Sequence, residues 1–144
     1  MIAIALAAAA LLQAPPHLVL TGVGRWAMFA DAASITREGD GARMRAFQVA
    51  ETDFTAGGQA YWGGWSWWRF DCAAGTADRL DFASVAVGGQ EGPAMPIDNR
   101  PQPLARGGDA AELAAVACAT EPPRAADAIT VEAAVTLGRA RLAD

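Results

Sequence analysis

The pattern of apolar and polar positions changes twice along the 144 residues. Residues 1–14 are apolar at every position but Gln13 and carry no charged side chain, and Pro15 and Pro16 close the run. From residue 17 to residue 87 the pattern has the period of two that marks half-buried strands. Residues 17–20 read as a short edge segment, and 25–30 as a strand with bulky side chains. Asp31 and Ser34 mark a turn, because their side chains bond nearby backbone amides. A brief strand at 35–37 leads through Gly39 and Gly41 into a hairpin and a long strand, 42–52. Arg43, Arg45, Phe47 and Val49 share one face of that strand, with Met44, Ala46, Gln48 and Ala50 on the other. A loop, 53–58, precedes the most distinctive stretch, 59–72. Alternation there places Trp62, Trp68, Phe70 and Cys72 on one face, and Tyr61, Trp65, Trp67 and Arg69 on the other. Gly63-Gly64 marks a site for a bulge, which would shift that phase by one residue. A turn at 73–78 and a strand at 79–87 complete the β-rich part, the strand setting Leu80, Phe82 and Ser84 opposite Asp81, Ala83 and Val85.

The second change comes after residue 107. Residues 88–107 are rich in Gly and Pro and show no period. Asp109 and Glu112 then have capping-box spacing ahead of a helix over 110–118. Residues 121–124 (Glu-Pro-Pro-Arg) form a spacer. A second helix over 127–144 carries Val131, Ala134, Val135, Gly138 and Leu142 as one stripe. Connections between strands are too short for parallel crossovers. The expected fold is therefore α+β: an antiparallel meander sheet, a helix packed on one face, and a further C-terminal helix.

The leading apolar run has the length of a secretory signal core and is too short to span a bilayer. Leu12-Gln13-Ala14 suits signal-peptidase cleavage ahead of Pro15, and no cysteine is nearby to accept a lipid anchor. This predicts a signal peptide at 1–14, a domain over 15–123 and a helical extension over 124–144. The expected location is outside the cytoplasm, either periplasmic or at the cell surface. Cysteine use agrees with export, since the chain has two, Cys72 and Cys118. One disulfide would close a 46-residue separation, worth roughly 4 kcal/mol in the chain-entropy account. Two cysteines and the single His17 do not make a tetrahedral zinc site, and no metal or cofactor is expected.

Composition removes further classes. The net charge of −5 argues against nucleic acid, which needs a basic face. All 11 basic residues are arginine, and 36 residues are alanine, so larger apolar side chains are few. There is no Gly-x-Ser-x-Gly elbow, no phosphate-binding glycine loop and no carboxylate pair with forced spacing, so the chain is expected not to be an enzyme. Asp31 is expected to cap its turn and Asp71 to pair with a strand arginine. The candidate binding surface is the tryptophan-rich strand. Trp65 and Trp67 would offer rigid aromatic faces, with Arg43, Arg45 and Arg69 beside them on the sheet. The competing assignment makes the indoles core.

The order Trp26, Asp31, Ser34-Ile35, Phe70-Asp71-Cys72 and Cys118 resembles the surface-adhesin protein E family, small exported domains of Gram-negative bacteria. The match spans about residues 23–119. That family usually has a Tyr where this chain has Met28-Phe29, and the second helix lies outside its pattern. The resemblance implies an antiparallel sheet backed by a helix and joined to it by a Cys72–Cys118 bridge. It supplies no ligand-contact residues. The functional expectation is a non-enzymatic envelope domain binding a protein or small ligand on its sheet, with an exposed strand edge available for a homodimer. The alternative is a periplasmic structural or envelope-maintenance accessory with no ligand site there.

Overall fold

A computed structural model describes residues 14–144. Residues 1–13, on which the export-signal reading rests, lie outside the described residues. The chain runs β1 (Leu18–Val23), β2 (Ala27–Asp31), a 3-10 turn (Ala32–Ser34), β3 (Thr36–Glu38), β4 (Gly41–Val49), β5 (Thr55–Ala56) and β6 (Gln59–Asp71). It continues β7 (Thr76–Arg79), β8 (Asp81–Ala86), β9 (Met95–Pro96), β10 (Gln102–Pro103), α1 (Asp109–Ala117) and α2 (Val131–Leu142). The sheet has the order β1-β2-β4-β6-β7-β10 and its pairings are antiparallel. The fold is the expected α+β meander with helices.

Two long strands, β4 and β6, make the spine. Phe47 lies opposite Trp65, Arg45 opposite Trp67 and Met44 opposite Trp68. Each spine strand is flanked by two shorter ones: β2 and β3 share the outer side of β4, while β7 and β8 share that of β6. Alternation then sorts side chains to two faces, and a helix covers part of each. α2 lies over β1, β2 and β4 and closes a buried cluster that includes Ala27, Phe29, Phe47, Val49, Trp65, Ala83 and Val85. α1 packs on Ala30, Ala42, Met44, Ala46, Phe70 and Ala77. The segment expected as an extension thus supplies a layer of the core. Gly138 is what brings α2 so close, since a Cβ there would sit 3.0 Å from the Val49 side chain. Arg139 then donates to the Ala50 and Tyr61 carbonyls at 3.1 and 3.2 Å.

Helix ends differ from the sequence reading in two places. The N-cap of α1 is Gly108, and Asp109 is the first helical residue, so its carboxylate makes no cap bond. Thr130 caps α2 by accepting from the Ala133 amide at 3.1 Å, and the helix starts four residues later than expected. At the other end of α1, Arg37 donates to the Ala117 and Ala119 carbonyls, satisfying groups that a helix end leaves open.

Cys72 and Cys118 form the disulfide, with Cα atoms 5.8 Å apart. It ties the residue after β6 to the residue ending α1. The sheet edges meet other parts of the chain. Leu18 pairs with Ala128 and the Leu20 amide donates to Asp127. On the far side β9 and β10 cover β8 and β7. No helix among the described residues is long and apolar enough to cross a membrane.

Two bulges change the face assignment. Between the Arg79–Trp68 and Ala83–Trp65 pairs, the β7–β8 path spends four steps against three on β6. The strand expected at 79–87 is accordingly split, and residues expected as a turn, 76–78, belong to β7. At the other end β6 carries the extra residue, between Tyr61 and Gly63. Gly63 has φ +154° there, and a Cβ on it would lie 1.8 Å from the Gln48 carbonyl oxygen. Trp62 therefore packs with the α2-side core rather than beside Trp68.

Candidate functional site

Each helix covers only half of its face, so two half-faces of the sheet are open. The first, on the α2 side, holds the residues singled out in the sequence. Trp65 is 7% exposed. Phe47 packs on its ring at 5.0 Å, and the Arg45 guanidinium lies 3.9 Å above it. Arg45 is in turn held by Asp31, Nε to Oδ2 at 2.8 Å, and Asp31 is 1% exposed. Asp31 also accepts from the His17 and Ala33 amides, so it caps the turn and anchors an arginine at once. Trp65 has no free indole face to offer a ligand. Trp67 is half-buried under Arg43, 4.9 Å from its centroid. Arg69 is exposed and reaches Glu38 at 3.3 Å. Among the described residues Asp71 pairs with no arginine: its carboxylate accepts from the Ala74 amide at 2.9 Å and closes the β6–β7 turn. The structure gathers the five residues on one surface, as a ladder whose cations already cover its aromatic rings.

The second open half-face is on the α1 side and is concave. A cavity of about 360 Å³ lies over Gln48, Gly63 and Ser84, walled by Trp26, Phe54, Tyr61 and Phe82. A second of about 220 Å³ shares Trp26 and Gln48 with it and extends to Ser66, Trp68, Arg79 and Asp109. Together they form one cleft along the sheet, within the size range of small-molecule sites. Trp26 meets Phe54 edge-on at 5.4 Å, which fixes one wall. The opposite wall depends on Gly64. A Cβ there would be 2.3 Å from Phe82 Cε2, so only glycine lets that ring lie over the strand.

The floor at the α1 end is polar. Arg79 donates from Nε to Ser66 Oγ at 2.8 Å and from Nη2 to Gln48 Oε1 at 3.2 Å. Its guanidinium lies 5.4 Å from the Phe82 ring centroid and 5.9 Å from that of Trp68. Burial lowers the Arg79 pKa, and the nearby Asp81 charge acts against that shift. Asp81 itself is turned away, accepting from the Trp67 amide at 2.8 Å. Among the described residues Arg79 joins no salt bridge. Among the same residues no three His, Cys, Asp or Glu side chains gather as a metal site.

Sequence reasoning missed Arg79, Gln48, Ser66 and the four aromatic walls. Arg79 and Phe82 are three apart, so simple alternation puts them on opposite faces. The extra residue in β7–β8 returns both to one face. The signal present in the sequence was Gly63-Gly64, which allows a bulge and leaves space above the strand.

No family model, no curated protein and no solved structure matches the chain.

Proposed function

We propose that this chain is an exported, non-enzymatic binding domain of the surface-adhesin protein E type, working at the cell envelope. It seats a small, largely apolar ligand in the cleft on the α1 side of its sheet. The observation that carries this is the aromatic cleft itself. Four large rings stand around a strip of sheet that the helix leaves bare, and Gly64 keeps the strip open. Support for export comes from the leading apolar segment and from the Cys72–Cys118 bridge, since disulfides persist in oxidising compartments. Support for binding rather than catalysis comes from the lining. Its ionisable side chains are Tyr61, Arg79 and Asp109, with no histidine, cysteine or carboxylate pair to move protons.

The test is titration with N-phenyl-1-naphthylamine, a neutral apolar dye that fluoresces when shielded from water. Wild type is expected to bind it saturably. Ala56→Trp, a substitution at an exposed position on the cleft rim, is expected to weaken binding at least about tenfold while leaving stability near that of wild type. No saturable binding to the wild type would favour an envelope accessory without a ligand site on the sheet.

A further inference from the structure

We infer that the cleft selects a small organic acid with one carboxylate, its apolar body among the aromatic walls and its carboxylate on Arg79. This rests on the cleft being a binding site and adds the class of its ligand. Arg79 is half-buried at the end of an apolar trough. A guanidinium has five N–H donors in a planar fork. Two bonds here go to neutral oxygens, of Ser66 and Gln48. Two other arginines of this sheet have an acid, Arg45 with Asp31 and Arg69 with Glu38, while Arg43 lies over the Trp67 ring. Arg79 has none among the described residues, although removal from water makes an unpaired cation costly. An incoming carboxylate would offset that cost with charge-assisted bonds, stronger in a partly desolvated site than in water.

A second unsatisfied group is close by. Trp68 borders the same end of the cleft, and its indole N–H is buried without an acceptor among the described residues. Surrounding charge limits the ligand to a single negative group. Asp109 stands at the rim of this end, exposed, at the first position of α1, and Asp81 lies behind Arg79. One anion neutralises Arg79, and a second would meet these acids. Volume points the same way, because the larger, apolar compartment adjoins the smaller polar one rather than enclosing it.

The experiment is calorimetric titration of the disulfide-intact protein with octanoate, octan-1-ol and octanedioate, which share a chain and differ in charge. Octanoate is expected to bind about tenfold to a hundredfold tighter than octan-1-ol, the range for a hydrogen bond to a charged group. Octanedioate is expected to fall below octanoate. Arg79→Gln is expected to bring octanoate down to the level of octan-1-ol, with octan-1-ol little changed. Equal binding of octanoate and octan-1-ol by the wild type overturns the carboxylate assignment and leaves the apolar cleft standing. Binding of neither overturns both. An octanoate preference that survives in Arg79→Gln overturns the role of Arg79. The wild-type comparison decides the ligand class even if the variant does not fold, and Arg79→Lys, which keeps the charge without the fork, is expected to retain a reduced preference.

Discussion

Gly64→Ala tests how the cleft is built. The added Cβ would lie 2.3 and 2.4 Å from Phe82 Cε2 and Cζ, about 1 Å short of the 3.4 Å at which ordinary contact begins. It would also lie 2.9 Å from the Ala83 carbonyl oxygen, which the β6–β8 ladder holds in place. Overpacking of this kind costs about 1–3 kcal/mol. Loss of unfolded-chain freedom on replacing glycine returns about 0.4–1 kcal/mol. The net expectation is a destabilisation of about 0.5–2 kcal/mol, with Phe82 pushed into the cleft. Phe82→Ala removes the ring that collides. In that background only the 2.9 Å approach to the Ala83 carbonyl remains, and Gly64→Ala is expected to cost clearly less than in the wild type. The pair should therefore couple by about 0.5–2 kcal/mol, beyond the additivity seen for independent sites. Urea unfolding of wild type, both single variants and the double variant, with the disulfide intact, measures the cycle. Additive effects would mean that Gly64 is not there to admit the Phe82 ring, and the wall of the cleft would need another explanation.

Other expectations follow from the same geometry. Cys72→Ser/Cys118→Ser is expected to lower stability by about 4 kcal/mol, read as a fall in the urea midpoint; an unchanged midpoint would contradict the staple. Trp65→Ala is expected to cost about 3–5 kcal/mol as a buried aromatic. Trp67→Ala, half-buried at the surface, should cost about 1 kcal/mol, and equal losses would contradict their placement. The Asp127 pKa is lowered, first by the hydrogen bond from Arg124 and also by the Leu20 amide. A lowered folded-state value gives stability that is present above the unfolded value, near 3.9, and is lost as pH falls through the folded one. The wild-type melting temperature should therefore fall more steeply below about pH 4 than that of Asp127→Asn; parallel curves would show that the clip on β1 does not hold in solution.

The strands of the meander were legible because period-two alternation survives wherever a strand keeps one phase. Phe47 and Val49 follow it, as do Trp65 and Trp67. The disulfide was legible because the chain has two cysteines, which leave one pairing. The α2 stripe was legible too, with Ala134, Val135 and Gly138 buried as their spacing requires. What alternation cannot express is a change of phase. The bulge after Arg79 and the one before Gly63 each move side chains across the sheet, and the cleft is assembled from residues on either side of them. The arginine and tryptophan ladder shows a different limit. Its residues share a face as expected, but Asp31, 14 residues before Arg45, draws that cation over Trp65 and closes the surface. A long-range ion pair of this sort leaves no periodic trace. The helix cap failed locally: Gly108 precedes Asp109 in extended backbone and takes the cap position itself.

The central claim is that ligand enters on the α1 side, between Trp26 and Phe82, and not on the ladder. The five tryptophans report this directly, each with its own indole N–H signal in a proton–nitrogen correlation spectrum. Adding octan-1-ol should shift the signals of Trp26 and Trp68, which border the cleft, and leave those of Trp65 and Trp67 in place. Shifts confined to Trp67 and Trp65, with Trp26 and Trp68 unmoved, would contradict the account.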